Sequence, residues 1–156
     1  NDPTAIVAIY SYNGGYVLNE VCFQKGLQNK QIADILLAND KALVIADAAE
    51  PKSIDELKLH GLTIMPAKKG PGSVSQGIQY VQQQRVSVTK GSTNVIKEYR
   101  NYLWLTDKDG KIINDPAHEF SHSMDAIRYG MDFIRPRVDR TAKKVYYDPH
   151  TGRRLN

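Results

Sequence analysis

Residues 43–65 constrain this chain more than any other stretch. An apolar run, LVIA, stops on Asp47, passes through AAEP into a helical pattern, and closes on a second apolar run, LTIM. Four consecutive apolar residues suit a short strand buried on both faces. Pro51, followed by Ser53-Ile54-Asp55-Glu56-Leu57, has the chemistry of a first helical turn. The spacing predicts a helix over 53–60 stopped by Gly61, then a strand over 62–65 stopped by Pro66. A strand, a helix and a strand in this order give a βαβ unit, which makes the two strands locally parallel and puts the chain in the α/β class.

Asp47 sits at the mouth of the first of these strands. Removing a carboxylate from water costs several kcal/mol unless a cation or hydrogen bonds compensate, so it needs a partner. Two readings stay open on the pattern alone: a functional, metal-holding carboxylate, or a turn residue ahead of the helix.

The rest of the chain agrees with a single globular domain. Its 156 residues are 41% hydrophobic and 24% charged, enough to bury a core. No apolar run approaches the roughly 20 residues of a membrane span, and no signal-peptide pattern opens the chain, so a cytosolic protein is expected. Cys22 is the one cysteine, which excludes an internal disulfide and a zinc–cysteine site and suits a small core residue. The net charge of +4 is uneven: residues 1–134 carry 14 Lys and Arg against 15 Asp and Glu, whereas residues 135–156 carry 7 against 2. A domain of net −1 thus ends in a tail of net +5, which fits contact with a polyanion or a solvated terminus.

In chain order, residues 5–12 form a strand and Asn13-Gly14-Gly15 a hairpin turn into a second strand over 16–23. Residues 31–38 carry Ile32, Ile35 and Leu36 at helical spacing. Ala67-Lys68-Lys69-Gly70-Pro71-Gly72-Ser73 is the most loop-like stretch, and Ser73 is placed to cap a helix over 74–84. The loop is no Walker motif, since GxxxxGK[ST] is absent; it is either a solvated loop or a place where Lys68 and Lys69 meet phosphates as point charges. A short strand over 85–89 and a helix from Ser92 or Thr93 to about residue 99 follow, then an aromatic strand over 102–106 and a hairpin through Asp107-Lys108-Asp109-Gly110 to 111–113. That turn lacks the remaining ligands of a calcium loop. From Ser121 a helix turns Met124, Ile127 and Met131 to the core, while His122, Asp125 and Arg128 share one row.

Taken together and in this order, NDPTAIVAIY, LVIADAAEPKSIDELKLHG, PAKKGPGSVSQGI, NVIKEYRNYLW and HSMDAIRYGM closely resemble the C-terminal nuclease domain of tailed-phage terminase large subunits. The resemblance covers residues 1–134 and leaves 135–156 as a basic tail. It implies a ribonuclease H-like fold, a central mixed β-sheet flanked by helices, and cleavage of concatemeric double-stranded DNA during packaging in the host cytoplasm. It also implies partners: the terminase ATPase domain and small subunit, and the portal protein, with no membrane. Residue by residue, Asp47 and Asp125 match the family's metal-holding acids, His122 a catalytic position near the metals, and Lys68, Lys69 and Arg128 positions for DNA contact. The family's first catalytic Asp belongs to a pattern of the type DxGxxNDPTA, so the first strand and its carboxylate are expected upstream of Asn1, with Glu50 as an auxiliary acid.

Phosphodiester hydrolysis by two divalent ions about 4 Å apart needs carboxylates from separate elements, which Asp47 and Asp125 are placed to supply. Oxygen ligands favour Mg2+ or Mn2+. With the upstream acid absent, weak metal binding and little cleavage are expected of this chain. Two other classes of function stand beside the nuclease: a DNA-binding module with structural carboxylates, and a portal-docking module acting through residues 135–156.

Overall fold

The computed structural model describes residues 2–103, 109, 121–136, 146–147 and 154–155. Of the expected aromatic strand over 102–106 and its hairpin to 113, residues 102 and 103 instead end a helix that continues from Thr93, and apart from Asp109 the rest lies outside the described residues.

β1 (Pro3–Tyr12) and β2 (Gly15–Lys25) form the anticipated antiparallel hairpin, with a register shift between Ile6 and Val7. Positive φ angles at Asn13 (49°) and Gly14 (74°) turn the chain. Gly15 already belongs to β2, and it must be glycine for a different reason: a Cβ there would collide with the carbonyl oxygen of Arg85, which accepts the Tyr16 N–H at 2.8 Å. That bond begins the parallel pairing of β2 with the short strand Val86–Val88.

α1 (Asn29–Leu37) precedes β3 (Val44–Ala46), α2 (Pro51–Leu59) and β4 (Ile64–Pro66). β3 and β4 are parallel, as the βαβ pattern requires. α3 (Ser73–Gln83) leads to β5 (Val86–Val88), then α4 (Thr93–Leu103) and α5 (His122–Ile134), and Tyr146–Tyr147 (β6) pairs with Arg154–Leu155 (β7).

The fold is the expected mixed α/β one, and among the described residues its strands form a mixed sheet in the order β1-β2-β5, a parallel pair β3-β4 and the small pair β6-β7. The first two each have their own core. Leu18, Ile78, Tyr80, Val81, Val95, Met124, Ile127 and Met131 fill the larger one, and Ala33, Ile54, Leu57 and Ile64 the smaller. α5 packs against β1, α3, α4 and also β3, so one helix touches both sheets. Its Met124, Ile127 and Met131 are buried as the periodicity predicts. Gly130 brings it within reach of β1, where a Cβ would stand 2.5 Å from the Cδ1 of Ile9. Cys22, expected in the core, is only half-buried on β2; burial, then the Glu20 carboxylate, pushes its thiol pKa up.

Candidate active site

Because β3 and β4 are parallel, the segments that follow them leave the sheet on the same side. Ala67 N–H donates to Ala46 C=O at 2.7 Å, extending the ladder by one step and delivering Lys69 beside Asp47. Oδ1 of Asp47 accepts the Ala49 N–H at 2.9 Å and forms an ion pair with the Lys69 ammonium. Oδ2 accepts the Tyr129 hydroxyl of α5 at 3.5 Å. The turn reading of Asp47 is thus realised in the Ala49 bond, while the cation that the same oxygen faces is the Lys69 ammonium.

Burial pushes the Asp47 carboxyl up, but hydrogen bonds from Lys69 and the Ala49 N–H, with the Lys69 charge, outweigh it and hold the group below its ordinary value. The bond to Asp47 raises Lys69 in return. With the Asp47 and Lys69 side chains 53% and 44% exposed, the pair contributes only about 0.2–1 kcal/mol.

Asp125 on α5 accepts a hydrogen bond from Arg128 at 2.7 Å. The Arg128 side chain is 8% exposed, and space for it comes from Gly77 on α3, where a Cβ would stand 2.5 and 2.6 Å from its Cγ and Cδ. The guanidinium lies 4.7 Å from the Tyr129 ring centroid, and the Lys69 ammonium lies 5.5 Å from the same ring. Tyr129 thus links the two halves of the site: Asp47 and Lys69 at the mouth of β3, and Arg128 and Asp125 on α5.

The other predicted residues fall around this patch. Lys68 is exposed on the loop. Arg128 is turned inward to Asp125 and Tyr129, which takes it away from the surface where a phosphate would meet it. His122 is half-buried, edge-on to Phe23 of β2 with ring centroids 6.4 Å apart. Glu50 serves α2 as its N-cap residue, its carbonyl accepting the Ser53 and Ile54 N–H groups and its Oε2 the Ser53 hydroxyl at 3.0 Å. Ser73 does not cap α3. Gly72 holds that position with φ 74°, and the Ser73 hydroxyl oxygen accepts the Gly70 N–H at 3.3 Å.

Among the described residues, no group of three His, Cys, Asp or Glu side chains is gathered to hold a metal ion. Asp47 presents carboxylate oxygen, the donor type of hard divalent cations, at a partly open strand mouth where the Lys69 ammonium now faces it. Sequence reasoning missed Tyr129, and its only signal was its place beside Arg128. It also missed Glu98, buried on α4 with its carboxylate against the first turn of α5.

A family model described as a terminase RNase H-like domain matches residues 5–132. The large terminase subunit of Bacillus phage SPP1 is 35% identical over 140 residues, covering 84% of this chain and 33% of that protein. The PBSX phage terminase large subunit of Bacillus subtilis is 34% identical over 91 residues, covering 58% of this chain and 21% of that protein. The chain therefore spans a third or less of these curated relatives. A crystal structure of the SPP1 large terminase nuclease domain with bound Mn superposes with a TM-score of 0.70 at 32% identity, covering 85% of this chain and 79% of that one.

Proposed function

From the premise that this chain belongs to the terminase RNase H-like domain family, with the mixed α/β fold of the large-terminase nuclease domain, we propose that it is the metal-dependent DNA-cleaving domain of a phage packaging motor. The observation that carries the proposal is the Asp47 carboxylate at the mouth of β3, facing a cation and linked through Tyr129 and Arg128 to Asp125 on a different element. Its substrate in this reading is concatemeric double-stranded DNA, cut in the host cytoplasm. Its partners are the ATPase domain and small subunit of the terminase and the portal protein.

Asp47 and Asp125 are the residues that would hold Mg2+ or Mn2+. Two such ions would lower the pKa of a bound water, so that hydroxide is available to attack a phosphodiester, and would offset charge on the leaving oxygen. The chain's own groups do the rest. Arg128, braced by Gly77, fixes the direction in which Asp125 projects. Lys69 balances Asp47 in the absence of substrate and, with exposed Lys68, can neutralise phosphate charge on the same loop. The resemblance gives His122 a catalytic role, and Glu50, occupied with α2, that of an auxiliary acid. The family pattern DxGxxNDPTA carries a further catalytic carboxylate on the family's first strand.

A plasmid-nicking assay with Mn2+ tests the reading, run on this chain and on one extended upstream by that strand. Nicking by the extended chain that disappears in Asp47→Ala and Asp125→Ala supports it. An inert extended chain, or cutting indifferent to both substitutions, refutes it. A second reading, DNA binding without cleavage, is favoured by the exposed Lys68 and the basic 135–156 tail. It predicts affinity that falls with salt and ignores Mn2+.

A further inference from the structure

The helix carrying Asp125 begins without a side-chain cap of its own. Ser121 is its N-cap residue, and its side chain makes no capping hydrogen bond. The first turn of any helix leaves N–H groups without intrahelical partners, and burying them unpaired is costly. Here a different helix satisfies them. Oε2 of Glu98, on α4, accepts the Ser123 N–H at 2.6 Å and the Met124 N–H at 3.3 Å, while the Asp125 N–H goes to the Ser121 carbonyl at 2.7 Å. Glu98 is 2% exposed, and its other oxygen has no hydrogen-bond partner among the described residues. A helix N-terminus is where a negative charge is best placed, which offsets part of the cost of burying this carboxylate.

α4 is itself held in the same manner. Glu20 on β2 accepts the Val95 N–H through Oε2 and the Asn94 side-chain amide through Oε1, both at 2.9 Å, and its own N–H donates to Ser92 Oγ at 2.8 Å. Two glutamates therefore run in series: Glu20 fixes the start of α4 to the central strand, and Glu98, one turn further along α4, fixes the start of α5. Asp125 lies one residue beyond the second contact. We propose that Glu98 is a positioning residue of the candidate active site, setting the height and rotation of α5 so that Asp125, Arg128 and Tyr129 project towards Asp47. This rests on the assignment of Asp125 as a metal-holding carboxylate.

The test compares Mn2+ affinity of the full chain, read as free Mn2+ by electron paramagnetic resonance, in the wild type, Glu98→Ala, Glu98→Gln and Asp125→Asn. Outer carboxylates that orient metal ligands typically control affinity by about 10–100-fold, so Glu98→Ala should weaken Mn2+ binding by roughly tenfold or more. Glu98→Gln keeps an acceptor in place and should recover most of that loss. The Ser123 and Met124 amides should exchange faster with deuterium in Glu98→Ala than in Glu98→Gln. Val81→Ala, a core truncation on α3, should lower stability without moving the affinity, which separates positioning from general loosening. If Glu98→Ala does not fold, Glu98→Asp, which withdraws the acceptor by one methylene, should show an intermediate loss. Wild-type affinity in Glu98→Ala or Glu98→Asp, or a Gln variant as impaired as Ala, overturns the proposal while leaving the site reading intact. Mn2+ binding that ignores Asp125→Asn overturns the site reading and this proposal with it.

Discussion

Replacing Lys69 with methionine separates two roles that its position combines. The ammonium is paired with the Asp47 carboxylate, so in the proposed site it would compete with a divalent ion for that group. The exposure of both side chains limits the pair to about 0.2–1 kcal/mol, which converts to about 1.4- to 5-fold in affinity. Lys69→Met should therefore tighten Mn2+ binding by about that factor in isothermal titration calorimetry at neutral pH. The stability cost should be at most ~1 kcal/mol, or about 2–4 °C in Tm for a chain of this size. The pH dependence follows from the two shifts. Asp47 is depressed, so its contribution is present above the unfolded value of about 3.9 and is lost as pH falls through its folded pKa. Lys69 is raised, so its contribution is present below about 10.4 and is lost as pH rises through its folded pKa. The Tm difference between wild type and Lys69→Met should be greatest across the neutral range and shrink at both ends. Weaker Mn2+ binding in Lys69→Met would refute the competition and make Lys69 a support of the metal site.

Three further substitutions probe the frame around the site. Ile127 is fully buried on α5, and Ile127→Ala should cost about 2–5 kcal/mol, measured as a lower urea midpoint at unchanged slope. Gly15→Ala forces a Cβ into the Arg85 carbonyl and should cost about 1–3 kcal/mol in the same assay, with the Tyr16 amide losing exchange protection. Glu20→Ala removes the acceptor at the start of α4 and should cost about 1–2 kcal/mol, with faster exchange at the Val95 amide.

Local chemistry was legible in the sequence wherever a pattern sets an element by itself. The hairpin through Asn13 and Gly14, the βαβ passage around Asp47 and the Met124–Ile127–Met131 stripe were each encoded within about two dozen contiguous residues or fewer. Contacts between distant elements were not. Nothing around Glu98 in the sequence says that its carboxylate caps a helix 25 positions later, because a buried glutamate and an exposed one look alike in NVIKEYRNYLW. Arg128 read as one more member of a polar row, whereas the missing side chain of Gly77, on another helix, is what lets it bury. Ser73 had the right chemistry for a cap but sits one residue late, because Gly72 alone adopts the left-handed turn that starts α3. The division of β1-β2-β5 from β3-β4 among the described residues depends on which strands find hydrogen-bonding partners, and no periodicity reports that.

That division gives the site an unusual mechanical character. The strand that ends at Asp47 packs on the small core of Ala33, Ile54, Leu57 and Ile64, while the helix that carries Asp125 packs in the large one. Only where α5 meets β3, with Tyr129 reaching Asp47, do the described residues join the two carboxylates. A small core of four buried residues can open at a fraction of the global unfolding free energy. Such an opening would draw the acids apart, so anything that clamps β3 to α5 sets the gap between the carboxylates.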